Sequence, residues 1–244
     1  MANIVSGNTI AEVASLIGDA ARANMLSALM GGQALTAGEL ARYAGVTPQT
    51  TSAHLAKLTQ AKLVSVEKQG RHRYYRIASS EVAEAVHALM TLAATGPKRY
   101  HPVGPKDQAL RLARTCYDHM AGRLAVALAD GLAEKHYVLL CDGAGLVTDE
   151  GRRFFCDFGL ELENATRGKR PLCRTCLDWS ERRRHLAGWL GAALLDRSLA
   201  LGWVSRMSEN RALRLTRSGE TGFLRLFELS PDWRSPTLEM SDSS

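Results

Sequence analysis

Thr36-Ala37-Gly38-Glu39-Leu40-Ala41, then Gly45-Val46-Thr47-Pro48-Gln49-Thr50-Thr51-Ser52, and beyond them Gly70-Arg71-His72-Arg73-Tyr74-Tyr75-Arg76-Ile77, make up the stretch whose reading decides the fold. Thr36 and Glu39 have capping-box spacing, in which hydroxyl and carboxylate satisfy the amides that a helix start leaves unpaired. Gly45-Val46 ends that helix, and Thr47-Pro48 restarts one, with Thr as N-cap and Pro where a missing amide costs nothing. So short a turn makes the two helices cross steeply, as in a helix-turn-helix. The second helix, Thr47 to about Ala61, buries Leu55 and Leu58 and leaves Gln49, Thr50, Ser52 and Lys57 for other contacts. Short polar side chains at a helix N-terminus suit base edges and phosphates in a major groove.

Leu63 to Glu67 and Arg73 to Ile77 alternate at period two around the turn Lys68-Gln69-Gly70-Arg71-His72, which predicts a β-hairpin wing. Between Lys62 and Ile77 five Lys or Arg face one Glu, a balance that places the tip, Arg71, His72 and Arg73, against phosphates or the minor groove. The plain alternatives are a compact packing unit and a solvated hairpin edge, but caps, turn, polar face and basic wing agree on duplex DNA.

From about Ile10 to Leu92 the chain resembles the arsenical-repressor (ArsR) family of winged-helix regulators, most specifically over Thr47 to Leu58 and Gly70 to Ile77. The resemblance implies a homodimer on an imperfect palindromic operator, usually repressing until a signal releases it. It also implies a dimer surface on the helices flanking the winged core, Ile10 to Met30 and Ser79 to Ala94. Carried over by position, Gln49, Thr50, Ser52 and His54 lie at or near the DNA, with Arg71 and Arg73 on the wing; for His54, packing between helices is the other reading. The first motif helix, Glu39 to Ala44, has no Cys where many metal-sensing members keep thiolates, so sensing chemistry must sit elsewhere.

At 244 residues the chain exceeds one winged-helix domain, and 45% hydrophobic residues supply a core for a second unit. A net charge of +6 suits a polyanionic partner. Five cysteines, an odd number, fit reduced thiols in a cytoplasmic protein better than a secreted disulfide scaffold, and neither a targeting segment nor a membrane span is expected. Gly96, Pro97, Pro102, Gly104 and Pro105 mark a linker over 96–106. The expected organisation is a DNA-binding and dimerisation domain over 1–95, a sensor over 107–234 and a disordered polar tail over 235–244.

The sensor contains an internal repeat, with His119 to Leu128 matching His185 to Leu194 at a constant offset of 66 residues. Asp130 aligns with Asp196 and Tyr137-Val138 with Trp203-Val204; after a two-residue slip, Thr148 and Gly151 align with Thr216 and Gly219. Each copy, 107–165 and 173–230, reads helix, strand, strand, helix, and two copies most simply pack about a pseudo-twofold axis. The fold class is therefore α+β and mostly helical, a winged helix-turn-helix followed by this pseudo-symmetric unit. Gly122 and Gly188 lie where a helix approaches a neighbour.

Ahead of the matched helices stand Cys116-Tyr117-Asp118-His119 and Cys173-Arg174-Thr175-Cys176-Leu177-Asp178-Trp179, with His185 beyond. Cys116 and His119, three apart on a predicted helix, share a face. With Cys176 and His185 they make a tetrahedral set for zinc or another thiophilic divalent metal, if the pseudo-twofold brings the helix starts together. Each residue also has a bland reading: buried thiols, core imidazoles, and Asp118 and Asp178 as helix caps. Cys141 and Cys156 read as packing residues. A redox version pairs Cys173 with Cys176, activated by Arg170, Arg174 and Arg182 to Arg184; an organic-effector version surrounds an apolar pocket with Trp179, Trp189 and Trp203. An enzyme tethered to the DNA-binding domain is the other function class, disfavoured because the chain lacks a phosphate loop, a nucleophile elbow and His-Glu-x-x-His.

Overall fold

The computed structural model describes residues 6–70, 72–95, 105–141, 143–167, 170–207, 210–230 and 232–235. They fall into two compact units, Met1–Leu89 and Met90–Ser244.

The first unit opens with α1 (Gly7–Ile17) and α2 (Ala20–Leu29). The single expected span from Ile10 is thus two helices, because Asp19 caps a new start by accepting from the Arg22 amide at 3.0 Å. β1 (Leu35–Thr36), α3 (Ala37–Ala44) and α4 (Pro48–Gln60) follow. The Thr36 and Glu39 capping box is formed, and Gly45, left-handed at φ 66°, stops α3. Thr47 caps α4, with Pro48 in its first turn. β2 (Val64–Gln69) and β3 (His72–Ile77) pair antiparallel from Val64 opposite Ile77 to Gln69 opposite His72, a tighter hairpin than expected. β1 adds to the other edge of β3, giving the order β1-β3-β2. Met25, Leu26, Leu29, Leu40, Leu55, Leu58 and Ile77 are buried together beneath this sheet and the helix pair. Each such side chain contributes about 1.5–3 kcal/mol. α5 (Ser80–Thr95) leaves the winged core.

The expected linker lies outside the described residues as far as 104, and Pro105 already opens a helix. The second unit runs α6 (Pro105–Leu112), β4 (Arg114–Cys116), β5 (His119–Ala121), α7 (Arg123–Glu134), β6 (Val138–Cys141), β7 (Ala144–Val147) and α8 (Asp149–Asp157). It continues with β8 (Arg174–Leu177), β9 (Arg184–Ala187), α9 (Gly188–Ala200), β10 (Val204–Arg206), β11 (Leu213–Leu215) and α10 (Arg217–Leu226). Each half is therefore hairpin, helix, hairpin, helix. The expected helix-strand-strand-helix order is present as α7-β6-β7-α8 and α9-β10-β11-α10, and the correction concerns what precedes it: Cys116 to His119 form a hairpin rather than a helix. Gly122 and Gly188 are strand-to-helix corners, with φ of 88° and 75°, and both lie close against a neighbouring backbone. A Cβ there would lie 2.7 Å from the Arg111 carbonyl oxygen or 2.9 Å from that of Pro171.

Leu124, Leu128, Leu132, Val138, Phe155, Leu190, Leu194, Val204, Phe223 and Phe227 form one continuous core. Trp203 belongs to its wall, edge-on to Phe223 at 5.0 Å between ring centres, rather than to an open pocket. Thr148 and Thr216 play the same part in each half. Each accepts from the Gly151 or Gly219 amide, donates its hydroxyl to the His136 or Gly202 carbonyl at 2.7 or 2.8 Å, and donates its own amide to the carbonyl of Tyr137 or Trp203. A Cβ on either glycine would overlap that same carbonyl.

Gly151→Ala and Gly219→Ala are expected to destabilise the second unit by comparable amounts, about 1–3 kcal/mol or more each. Urea unfolding of the two variants checks this; a neutral change at one position would break the equivalence.

Candidate functional site

On α4 the faces divide as its apolar spacing demands. Thr51, Leu55 and Leu58 are buried, while Thr47, Gln49, Thr50, Ser52 and Lys57 are exposed. Two of the hydroxyls hold local structure: Thr50 lies 2.9 Å from the Thr47 hydroxyl, and Ser52 donates to the Pro48 carbonyl at 2.9 Å. Both retain acceptor lone pairs. His54 is half-buried, with Nδ1 3.2 Å from Arg22 Nη1 and 3.8 Å from Asp19, the helix-packing alternative of its two readings. His72 and Arg73 are exposed on β3, and Arg71 lies outside the described residues.

In the second unit Cys116 and His119 do not share a helix face. They are partners across the β4-β5 hairpin, closed by Tyr117 at φ 59° and Asp118. Cys176 and His185 are likewise cross-strand partners in β8-β9. With β5 packed against β9, the four ligand atoms all lie within 4.8 Å of one another. A tetrahedral zinc with two sulfurs and two nitrogens needs separations of roughly 3.3–3.8 Å. The cluster is therefore close to a bound geometry.

Cys116, His119 and His185 are buried and Cys176 nearly so. The rings of His119 and His185 stand 5.1 Å apart. Nε2 of His119 and both ring nitrogens of His185 have no hydrogen-bond partner. Buried polar atoms in folded proteins are rarely left so, and an unfilled ligand position is one of the recognised reasons.

The charges are set by the cluster itself. Burial would keep His119 neutral, but the adjoining Cys116 sulfur and the Asp118 carboxylate outweigh it and lift the ring to about 9. A hydrogen bond from Cys176 holds the Cys116 thiol well below its ordinary value, against its burial. Cys176, as the donor, is pushed up. His185 is held down by burial.

Two carboxylates beside the imidazoles were read in the sequence only as possible helix caps, and neither caps its own helix. Asp118 lies 3.1 Å from His119 Nδ1 and is gripped at two points by Arg170, at 2.6 and 3.0 Å. Asp178, with no exposure, accepts from Arg114 on both oxygens at 2.8 Å, from the Gly122 amide at 2.6 Å, and from Ser180 and Glu181. Burial would raise its pKa, but Arg114 dominates and depresses it. Trp179 stacks under Arg114 at 4.5 Å.

Several other expectations are corrected. Cys173 sits in the apolar core with its thiol raised by burial to about 11, so nearby arginines do not activate it; the sulfur that faces Cys176 is that of Cys116. Arg170 and Arg183 are instead paired with Asp118 and Asp130. Cys141 and Cys156 are exposed rather than packed. A cavity of about 590 Å³ is lined by Arg123, Asp130, Glu181, Arg183, Leu229 and Trp233 among others.

No helix among the described residues is long and apolar enough to cross a membrane. A helix-turn-helix domain model matches residues 17–67. Among solved structures, the chain is similar to the homodimeric winged helix-turn-helix DNA-binding domain of a possible ArsR-family regulator from Mycobacterium bovis (25% identity, 41% of this chain and 97% of that one, TM-score 0.35). It is also similar to the cadmium metal-sensor CMTR from Mycobacterium tuberculosis (28% identity, 39% and 98%, TM-score 0.31). Over 214 residues, 88% of this chain and 95% of the relative, it is 44% identical to an uncharacterised HTH-type transcriptional regulator, YdfF, of Bacillus subtilis (strain 168). The match runs through both units, so the chain belongs to the HTH-type transcriptional regulators and is a DNA-binding protein.

Proposed function

We propose that this regulator is a cytoplasmic homodimeric repressor whose C-terminal unit, 107–234, holds zinc or another thiophilic divalent metal through Cys116, His119, Cys176 and His185. The observation that carries the metal is the convergence of two thiols and two imidazoles from two hairpins within 4.8 Å, with three ring nitrogens unpartnered. Two thiolates balance a divalent charge, and the mixed sulfur and nitrogen set suits zinc over magnesium or calcium. The ion would join the β4-β5 and β8-β9 hairpins across the two halves of the unit. Four protein donors complete a tetrahedral shell and leave no position for water or substrate, which favours a binding role over a hydrolytic one.

DNA reading is assigned to the exposed face of α4, with Gln49 and Thr50 toward base edges and Thr47, Ser52 and Lys57 toward the backbone. The wing, Arg71, His72 and Arg73, takes phosphates or the minor groove. The dimer surface is assigned to α1 and α5. α1 buries none of its residues and exposes Ile10 and Val13, while α5 exposes Leu89 and Leu92 on one face. Apolar rows of this kind gain by covering one another in a second copy. Metal control then requires the ion to favour one dimer geometry over another.

Protein purified without chelator should carry near-stoichiometric zinc or a similar metal, lost in both Cys116→Ser and Cys176→Ser. Elemental analysis decides this, and metal-free wild type would remove the proposal. Stripping the metal should shift operator affinity by about fivefold or more; identical binding curves would make the ion structural only. In a salt titration, Arg71→Ala with Arg73→Ala should lower the slope of log K against log salt by about 1–2. Gln49→Ala should instead cost about 1–3 kcal/mol of discrimination between operator and random DNA; undiminished discrimination would move the reading face elsewhere.

A further inference from the structure

The two imidazoles of the cluster are not equivalent to isolated ligands, because each has a carboxylate on its far side. We infer that Asp118 and Asp178 are positioning residues for the metal centre: they take the Nδ1 protons of His119 and His185, so that both rings present Nε2 to the ion. The inference rests on the metal reading above and adds which ring atoms bind and what orients them.

At His119 the arrangement is already formed. A carboxylate flanked by a guanidinium can only accept, so the 3.1 Å contact between Asp118 Oδ1 and Nδ1 makes the imidazole the donor. Nε2 is then the nitrogen turned into the cluster, and it is the one without a partner. Arg170 fixes the carboxylate at two points, which limits its rotation and hence that of the ring.

At His185 the arrangement is one short movement away. Nδ1 lies 3.7 Å from Asp178 Oδ2, too long for a hydrogen bond and within reach of a small ring rotation. Oδ2 is the less occupied of the two oxygens, accepting from Arg114 and Gly122, whereas Oδ1 also serves Ser180 and Glu181. Drawing Nε2 toward a central ion and Nδ1 toward Asp178 would satisfy both orphaned nitrogens of His185 at once. Such carboxylate-imidazole pairs raise ligand basicity and fix the tautomer, and losing one typically weakens metal binding 10–100-fold.

Asp178→Asn is a poor probe by itself, because it leaves Arg114 buried beside a neutral group. Asp118 is partly exposed, so Asp118→Asn keeps the fold while removing the charged acceptor. Zinc affinity of the full chain, measured by competition with a chromophoric chelator, should fall about 10–100-fold in Asp118→Asn. It should stay unchanged in Asp130→Asn, a control in the same unit. In the zinc-loaded wild type, nitrogen-15 histidine spectra should show Nε2 metal-bound and Nδ1 protonated at both His119 and His185. Equal zinc affinity in Asp118→Asn and wild type, or binding through Nδ1, would overturn the inference while leaving the metal proposal standing. Wild type that binds no zinc would overturn both.

Discussion

A carboxylate with no exposure to water has to be satisfied from within the protein, and Asp178 meets that requirement with groups that are far apart in sequence. Arg114 opens β4, Gly122 follows β5, and Ser180 with Glu181 lies in the turn between β8 and β9. One side chain thereby sets the register of two hairpins against each other. Arg114 is two residues from Cys116, Gly122 is three from His119, and Asp178 itself sits between Cys176 and His185. The convergence of the four donors is a consequence of that pinning. Breaking a pair buried this deeply leaves an unpaired charge, at a cost of about 3–5 kcal/mol, so the cluster is held by an interaction that the fold cannot easily relax.

The two units solve their polar accounting differently. In the winged unit nearly every demand is met within a few residues: Thr36 and Glu39 satisfy one helix start, Thr47 another, Asp19 a third. That leaves the polar face of α4, and His72 and Arg73 on β3, exposed. In the second unit the demands are met across the chain, and three imidazole nitrogens are not met at all. The second unit thus keeps unfilled bonding capacity in its interior.

The legibility of the two parts follows from the same contrast. Caps, turn and alternating hairpin are local signals, and the helix pair and wing appear where the residues put them, apart from the break at Asp19 and a tighter wing turn. The segments matched at an offset of 66 also fold as matched elements, and after the two-residue slip so do the Thr148 and Thr216 caps. The residues before α7 and α9 do not follow their local spacing. Arg-Thr-Cys-Tyr-Asp-His has helical spacing between Cys116 and His119, but Tyr117 in the left-handed region turns it into a hairpin. Both geometries bring the two side chains together, so the candidate ligands survived a wrong element assignment. Nothing local marked Cys173 as core, Cys141 and Cys156 as exposed, or Asp178 as the shared acceptor, since each depends on what packs alongside.

By itself, then, the sequence determined the helix-turn-helix unit, the matched segments and the four residues, two Cys and two His, capable of holding a soft divalent ion, because caps, periodicity and ligand chemistry are properties of short stretches. Only the tertiary structure decided that those four meet in one buried place, which carboxylate stands behind each imidazole, and which sulfur faces Cys176. Those outcomes depend on contacts between strands some 60 residues apart, whose geometry is set by burial and by the Arg114 and Asp178 pair rather than by any local preference.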